Sequence, residues 1–147
     1  MTLQSFSHVG VCVSDLERST RFYCEVLGFS EQFSFEFTDE LVATMETDGG
    51  FTSRMLRRGD LRIELLHWKD RAPDGDGQRR AMTAMGMTHL AFRVEKVDDL
   101  YEAAKRYGGQ VHPATYTALD GGVEVVYLTD PDGVRIECMA GVPDLGG

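Results

Sequence analysis

The chain has 147 residues, enough for one ordinary domain, and its 42% hydrophobic and 27% charged content is typical of a globular protein. Its formal net charge of −9 makes nucleic acids and anionic membranes poor partners. No apolar run approaches a membrane span, and the first residues lack the features of a signal peptide, so we expect a cytoplasmic location. The widely spaced Cys12, Cys24 and Cys138 predict reduced thiols.

The first half of the chain predicts a strand, a helix and three further strands. Residues 6–13 alternate valines with His8, Gly10 and Cys12, which is the period of a half-buried strand. Asp15 is a candidate N-cap for a helix that runs to about Leu27. Strands follow at 29–37, 51–57 and 61–68, whereas the polar segment 38–50 has no pattern that predicts a structure.

The second half repeats this order after a connection rich in Asp, Gly, Pro and Arg. We predict a strand at 88–94, a helix at 98–107, and strands at 110–119, 123–128 and 134–140. The chain is therefore expected to have an α+β fold, in which two tandem βαβββ modules form a curved mixed sheet. The expected bounds within a single domain of 1–147 are about 1–69 for module one, 70–86 for the linker and 87–147 for module two.

Each predicted module begins with a histidine and ends with a glutamate. His8 and His89 occupy matching places in similar segments, 81 residues apart. The tripeptide Arg-Ile-Glu occurs at 62–64 and at 135–137, which places Glu64 and Glu137 at matching positions in the two last strands. Strand alternation puts these four side chains opposite the apolar faces that meet the helices. We therefore expect them to line a metal-binding cleft.

Imidazole nitrogen and carboxylate oxygen together suit a divalent metal such as Ni, Zn, Co, Mn or Fe. Such a metal can act as a Lewis acid toward an α-hydroxycarbonyl, and a nearby carboxylate can act as general base for the adjacent C–H proton. For any one residue alone, a backbone-bonded histidine or a solvated glutamate is the simpler interpretation. The duplication of the pattern favours the metal for His8, Glu64, His89 and Glu137 as a set.

Several segments resemble the vicinal oxygen chelate superfamily, which includes glyoxalase I, methylmalonyl-CoA epimerase, extradiol dioxygenases, fosfomycin-resistance enzymes and bleomycin-binding proteins. The segments are His8-Val-Gly-Val, Asp15-Leu-Glu-Arg-Ser-Thr-Arg-Phe-Tyr, Val26-Leu-Gly-Phe29, Thr88-His-Leu-Ala-Phe-Arg-Val94 and Asp130-Pro-Asp-Gly-Val-Arg-Ile-Glu137. The resemblance implies paired βαβββ modules, metal ligands at His8, Glu64, His89 and Glu137, and a homodimer. It also implies that Glu137 is the catalytic base, with Glu64 as second ligand and candidate proton donor.

The identity of the residue at position 64 favours some of the activities found in the superfamily over others. Short bacterial glyoxalases I carry Glu there, epimerases usually carry Gln, and extradiol dioxygenases use only the two histidines and the last glutamate. We therefore expect a metal-dependent lyase or isomerase that acts through an enediolate or enolate on a small α-hydroxycarbonyl or thiol adduct. The alternatives are an epimerase of the methylmalonyl-CoA type, an extradiol dioxygenase-like enzyme and a non-catalytic protein that binds a small molecule or drug.

Two positions depart from the short glyoxalases. Cys12 stands where those enzymes have an Arg that contacts glutathione, and Trp68 stands where they have an Asn. The metal centre thus resembles glyoxalase, whereas the glutathione contacts do not.

Six residues on the ligand-bearing faces are candidates for binding a small-molecule substrate. The arginines Arg62, Arg93 and Arg135 can bind a carboxylate or phosphate of the substrate, or can instead pair with acidic residues at the rim of the cleft. The side chains of Trp68, Cys12 and Met139 can form walls of the substrate pocket. His67 points away from Glu64 and His112 precedes Pro113, so we expect both to be structural or exposed.

Overall fold

The computed structural model describes residues 2–144, and the chain divides into two compact units between Asp74 and Gly75. Each unit contains one four-stranded mixed sheet. This arrangement confirms the predicted α+β fold of two tandem modules.

The first unit contains one helix and four strands. They are strand β1 at Val9–Cys12, helix α1 at Leu16–Glu25, and strands β2 at Ser30–Phe37, β3 at Phe51–Arg58 and β4 at Leu61–Trp68. The sheet order is β1-β4-β3-β2, with β1 parallel to β4 and the other pairs antiparallel. The parallel pair is possible because α1 carries the chain back across the sheet.

Helix α1 forms where the sequence predicts it. The Asp15 carboxylate accepts a hydrogen bond from the Arg18 backbone N–H at 2.9 Å, which satisfies one of the unpaired donors of the first turn. Phe22 and Tyr23 are fully buried on the face that packs against β4, where Ile63 and Leu65 are also fully buried. These apolar contacts hold the helix on one face of the sheet and leave the other face for Glu64.

The second unit repeats this order. It contains strand β5 at Leu90–Arg93, helix α2 at Tyr101–Arg106, and strands β6 at Gln110–Leu119, β7 at Val123–Thr129 and β8 at Arg135–Ala140. The sheet order is β5-β8-β7-β6, with β5 parallel to β8. Val126, Leu128, Ile136 and Cys138 form the fully buried face of its central strands.

Several boundaries differ from the prediction by one to three residues, and the differences at the two first strands and at the second helix are the largest. The first strand of each unit is shorter than expected, so His8 and His89 each lie one residue before β1 and β5. The predicted helix at 98–107 begins as a 3-10 turn at Asp98–Leu100, because Val97 at its N-cap provides no side-chain acceptor. These shifts leave the facing of the candidate ligands unchanged.

The two segments without a predicted structure consist of turns, bends and irregular chain. Within 38–50, Leu41 and Glu46 have positive φ angles of 63° and 53°, a conformation that side chains other than glycine rarely adopt. In the connection, the Gly77 carbonyl oxygen lies 2.5 Å from where a Cβ at Gly133 would be, and Gly133 has a φ of +86°. Only glycine suits that close approach.

Among residues 2–144, no helix has the length and apolar character that are needed to span a membrane.

Candidate functional site

In the first unit, His8 and Glu64 form a close pair. The His8 Nε2 atom lies 3.1 Å from the Glu64 Oε2 atom, although the two residues are 56 positions apart in the chain. The parallel register of β1 and β4, which places Gly10 beside Glu64, brings them together. Both side chains are only partly exposed, at 36% for His8 and 20% for Glu64, so a ligand can reach them.

Two hydroxyl groups contact the atoms of this pair that do not face each other, His8 Nδ1 and Glu64 Oε1. The Ser7 Oγ atom lies 2.9 Å from the other ring nitrogen of His8, Nδ1. The buried Ser53 hydroxyl on β3 donates to the Glu64 Oε1 atom at 2.5 Å. The remaining atoms, His8 Nε2 and Glu64 Oε2, therefore face each other with their orientations fixed.

The second unit contains an equivalent pair with equivalent support. The His89 Nε2 atom lies 3.3 Å from the Glu137 Oε2 atom, and the Thr88 Oγ1 atom lies 2.9 Å from His89 Nδ1. The Tyr127 hydroxyl donates to Glu137 Oε1 at 3.0 Å from the directly opposite position on β7. The Tyr127 ring also packs edge-on against His89, with 5.7 Å between ring centroids.

The donor atoms in each pair suit a divalent metal. Two cis ligands in an octahedral shell with bonds of about 2.1 Å are separated by roughly 3.0 Å, and two tetrahedral ligands by roughly 3.4 Å. The observed 3.1 Å and 3.3 Å fall within this interval. When the proton of the neutral imidazole is on Nδ1, the Nδ1–H group donates to the neighbouring hydroxyl. The Nε2 atom then carries a free lone pair and is available as a metal ligand. Each unit thus presents one imidazole nitrogen and one carboxylate oxygen at ligand spacing.

In the described part of the chain, no cluster of three or more His, Cys, Asp or Glu side chains suited to a metal ion occurs. The structure therefore brings together His8 with Glu64, and His89 with Glu137.

The site residues that we predict from the sequence do not include the four hydroxyl-bearing residues that contact the His–Glu pairs. Ser7 and Thr88 precede the two histidines at the same offset of 81, so the repeat itself contained a signal for them. Ser53 and Tyr127 have no such signal, because each reaches its glutamate across an antiparallel strand pair whose register only the fold defines.

Burial and hydrogen bonding decide the protonation state of two groups beside Glu137. Burial, followed by the hydrogen bond to Glu137 and its negative charge, raises the pKa of Tyr127, so its hydroxyl keeps the proton that it donates. Burial and the charge of Glu137 raise the pKa of Cys138 to about 12. Cys138 is therefore a neutral core thiol rather than a thiolate ligand.

Two of the three candidate substrate arginines have protein partners. The Arg135 guanidinium donates to the backbone carbonyls of Arg80 at 2.8 Å and Thr88 at 3.3 Å, and it lies over the Tyr127 ring. Arg93 pairs with Asp144 at 2.8 Å, as expected for an arginine at a rim. Arg62 lies on the same strand face as Glu64, beside Arg57 of β3.

The remaining candidates lie in two places. Cys12 and Trp68 line one cavity in the first unit. Met139 is half-buried on β8, two residues beyond Glu137 and therefore on the same face. His67 lines a separate surface pocket with Arg54 and Lys69, and His112 lies 3.2 Å from the Thr129 hydroxyl.

Comparison with known proteins identifies one family over most of the chain. A profile described as "Glyoxalase/Bleomycin resistance protein/Dioxygenase superfamily" matches residues 5–138. The chain is 29% identical to the lactoylglutathione lyase of Haemophilus influenzae over 136 residues, covering 88% of this chain and 87% of that protein. It is 30% identical to the 2-epi-5-epi-valiolone epimerase of an Actinomyces species over 149 residues, covering 92% and 80%.

Solved structures show the same fold. A glyoxalase family protein from Bacillus cereus matches with a TM-score of 0.82 at 18% identity, covering 97% of both chains. The fosfomycin resistance protein FosX from Listeria monocytogenes, solved with Mn(II) and sulfate, matches with a TM-score of 0.62 at 21% identity, covering 96% of this chain and 95% of that one.

Proposed function

Because the chain belongs to the Glyoxalase/Bleomycin resistance protein/Dioxygenase superfamily, we propose that it is a metal-dependent lyase or isomerase resembling glyoxalase I. In this proposal it acts through an enediolate or enolate on a small α-hydroxycarbonyl or thiol adduct. The single observation that carries the proposal is the repeated His–Glu pair, with donor atoms 3.1 Å apart in one unit and 3.3 Å apart in the other. Lactoylglutathione lyases are among the relatives.

The proposed metal ligands are His8, Glu64, His89 and Glu137, holding one divalent ion such as Ni, Zn, Co, Mn or Fe. Such an ion supplies Lewis acidity that makes the C–H bond beside a chelated carbonyl more acidic. The hydroxyls of Ser53 and Tyr127 hold one oxygen of each glutamate, so that the other oxygen has a fixed direction. This fixed direction is what a positioned proton acceptor needs.

Glu137 is the proposed general base. Its carboxylate takes the proton from the substrate carbon, while the Tyr127 hydroxyl keeps Oε1 hydrogen-bonded and the carboxylate in place. Glu64 is the second ligand and the candidate donor to the opposite face. Two carboxylates with equivalent support are also suited to epimerisation, and the 30% identity to an epimerase favours that activity as the second candidate.

The metal proposal predicts that His89→Ala loses most of the bound metal. Removing one of four ligands lowers affinity, because the remaining donors no longer fill the coordination shell. Elemental analysis of purified protein measures metal per chain. His67→Ala is the matched control, since His67 lies on β4 but faces away from Glu64, and it should keep the wild-type content. Equal metal content in wild type and His89→Ala would remove His89 from the site.

The catalytic proposal predicts that Glu137→Gln slows proton abstraction by ~10²–10⁴-fold, the usual effect of losing a positioned base. Solvent deuterium uptake into hydroxyacetone measures this step even without net turnover. Glu124→Gln provides the control, because its carboxylate accepts from Tyr116 and lies outside both His–Glu pairs. If Glu64→Gln is slow while Glu137→Gln is normal, the two glutamates have exchanged roles. Normal exchange in both variants would contradict enolate chemistry.

A further inference from the structure

Arg135 lies on the same face of β8 as Glu137, and its side chain contacts the groups around the second His–Glu pair. It stands opposite Thr129 of β7, which makes Tyr127 its diagonal neighbour across the antiparallel strands. Its guanidinium lies over the Tyr127 ring, 5.8 Å from the ring centroid. A cation at this distance is attracted to the face of an aromatic ring, so the contact restrains the ring that presents its hydroxyl to Glu137.

The same guanidinium also holds the chain that leads to His89. Its Nη1 atom donates to the Thr88 carbonyl oxygen at 3.3 Å, and its Nη2 atom donates to the Arg80 carbonyl oxygen at 2.8 Å. A planar guanidinium can hold two acceptors at once because its N–H groups point in fixed directions. Thr88 is the residue whose hydroxyl lies 2.9 Å from His89 Nδ1. Arg135 therefore contacts the hydroxyl-bearing residue on each side of the pair.

The loop between these two carbonyls depends on arginine side chains for its shape. Residues 80–88 consist of turns, bends and irregular chain. Within the loop, the Arg80 guanidinium donates to the Met85 carbonyl oxygen at 2.8 Å. Across its ends, the two bonds from Arg135 join residues 80 and 88. The backbone immediately before His89 is thus fixed from β8.

These contacts favour a role for Arg135 other than binding of the substrate. Both terminal nitrogens have acceptors within the second unit, and Nη1 also lies 3.9 Å from the Met82 Sδ atom. A carboxylate or phosphate that bound the guanidinium would have to displace these acceptors. Such a ligand would release the loop that precedes His89.

The first unit differs at the position that faces its glutamate. Arg62 occupies the place in the first Arg-Ile-Glu tripeptide that Arg135 occupies in the second. The residue opposite Glu64 is Met55, whereas a tyrosine stands opposite Glu137. A thioether offers neither a hydroxyl donor for the carboxylate nor an aromatic face for a guanidinium. The two arginines of the repeat therefore have different surroundings, and Arg62 provides a matched control for Arg135.

We propose that Arg135 is a positioning residue for the His89–Glu137 pair, which it holds through Thr88 on one side and Tyr127 on the other. The guanidinium fixes the backbone before the histidine by a hydrogen bond, and it fixes the ring beside the glutamate by its charge. The consequence for metal binding rests on the proposed function, in which His89 and Glu137 are ligands. The effect on the geometry of the pair is independent of that function.

Nuclear magnetic resonance of the metal-free protein tests the positioning directly. At alkaline pH, where imidazole is neutral, proton–nitrogen correlations report which ring nitrogen carries the proton, and this depends on the hydrogen bond at the other nitrogen. Arg135→Met keeps an unbranched stem and removes the donors and the charge. We expect the Nδ1–H fraction of His89 to fall at least twofold in this variant, while His8 in the other unit stays as in wild type. An unchanged His89, or equal changes at both histidines, would overturn the proposal.

A measurement on the wild-type protein needs no variant and covers the case in which Arg135→Met fails to fold. The guanidinium protons of Arg135 should exchange slowly with water, because protein acceptors hold them. They should also show cross-relaxation with the ring protons of Tyr127. Rapid exchange together with the absence of this cross-relaxation would overturn the proposal.

Zinc affinity, measured by competition with a fluorescent chelator, tests the consequence for binding. Arg135→Met should weaken zinc binding about tenfold, the lower end of the usual effect of removing a group that orients a ligand. Arg135→Lys keeps the charge and can donate to one carbonyl, so its affinity should return to within about threefold of wild type. Equal losses in the methionine and lysine variants would show that the charged donor is not responsible, and would overturn the proposal.

Arg62→Met controls for charge alone, because it also removes a cation two residues before a glutamate. Loss of a positive charge by itself favours the binding of a metal cation, so a weaker affinity reports a change in geometry. We expect Arg62→Met to bind zinc at least as tightly as half the wild-type affinity. A loss as large as that of Arg135→Met would contradict the specific role of Arg135.

The two kinds of measurement separate this inference from the proposed function. If the wild-type protein binds no zinc or other divalent metal, the proposed metal site is wrong, whereas a tautomer change confined to His89 in Arg135→Met still supports positioning. If the wild type binds zinc and Arg135→Met changes neither the His89 tautomer nor the affinity, the metal site stands and the positioning role is wrong.

Discussion

At the scale of single residues, the two His–Glu pairs share one local design. In each, a hydroxyl precedes the histidine and contacts Nδ1, while a second hydroxyl from a neighbouring strand donates to Oε1 of the glutamate. The donors differ in kind, because Ser53 reaches Glu64 from a diagonal position and Tyr127 lies directly opposite Glu137. The longer tyrosine side chain also packs on His89, so the second pair has a more extensive support.

This support predicts that Tyr127→Phe lowers metal affinity by about 10–100-fold, the usual effect of removing a partner that orients a ligand. The ring and its packing on His89 are retained, so the change isolates the hydroxyl. Competition with a fluorescent chelator measures the affinity. Tyr116→Phe serves as the control, because the hydroxyl that it removes donates to Glu124 at the surface. Equal losses in the two variants would indicate a general effect on the fold rather than support of Glu137.

At the scale of elements, the N-terminus of α1 depends on one side chain. Asp15 has extended backbone angles, and its carboxylate accepts from the Arg18 N–H at 2.9 Å. The corresponding 3-10 turn at Asp98–Leu100 has no side-chain cap. The first helix is therefore the better defined of the two, and it packs against β4, the strand that carries Glu64.

We expect Asp15→Ala to lower the free energy of unfolding by about 1 kcal/mol, within the range of 0.5–2 kcal/mol for loss of an N-cap. Urea denaturation followed by circular dichroism measures the change. Asp99→Ala is the comparison, since Asp99 also lies in the first turn of a helix but makes no cap hydrogen bond. If both variants lose the same stability, the effect is one of charge near a helix terminus rather than of capping.

At the scale of the whole molecule, several large apolar side chains lie at the surface. Leu3, Phe6, Phe35, Met85 and Met87 are each more than half exposed. Single exposed apolar residues are ordinary, but aromatic and methionine side chains in this number favour association with another surface. This exposure supports the homodimer that the family resemblance implies.

We therefore predict a homodimer in solution, with twice the 16.4 kDa mass of the chain. Light scattering coupled to gel filtration at micromolar concentration measures the mass directly. Phe35→Ser removes one exposed ring from β2, the edge strand of the first sheet, and identifies whether that edge is part of the interface. A mass of 16.4 kDa for the wild type would contradict the prediction.

The sequence by itself determined the order of the elements and the faces of the strands. Hydrophobic alternation at 61–68 and 134–140 is a local property, because successive side chains of a strand point to opposite faces. The repeat showed that each half of the chain has a histidine near its first strand and a glutamate in its last strand, at matching positions. For this reason the fold could be predicted from sequence, and His8, Glu64, His89 and Glu137 could be singled out as a set, whereas their pairing in each unit was not predicted.

The tertiary structure decided which atoms meet across strands. Ser53 and Tyr127 contact their glutamates because of antiparallel register, and the Arg135 guanidinium is occupied by the carbonyls of Arg80 and Thr88, which lie far from it in the chain. The irregular segment 38–50 contributes residues to the lining of the cavity that contains Trp68, and two of its residues have positive φ angles. A pattern of hydrophobic residues does not predict such turns. Such contacts depend on register and backbone path, and these are set by packing of the whole unit rather than by local sequence.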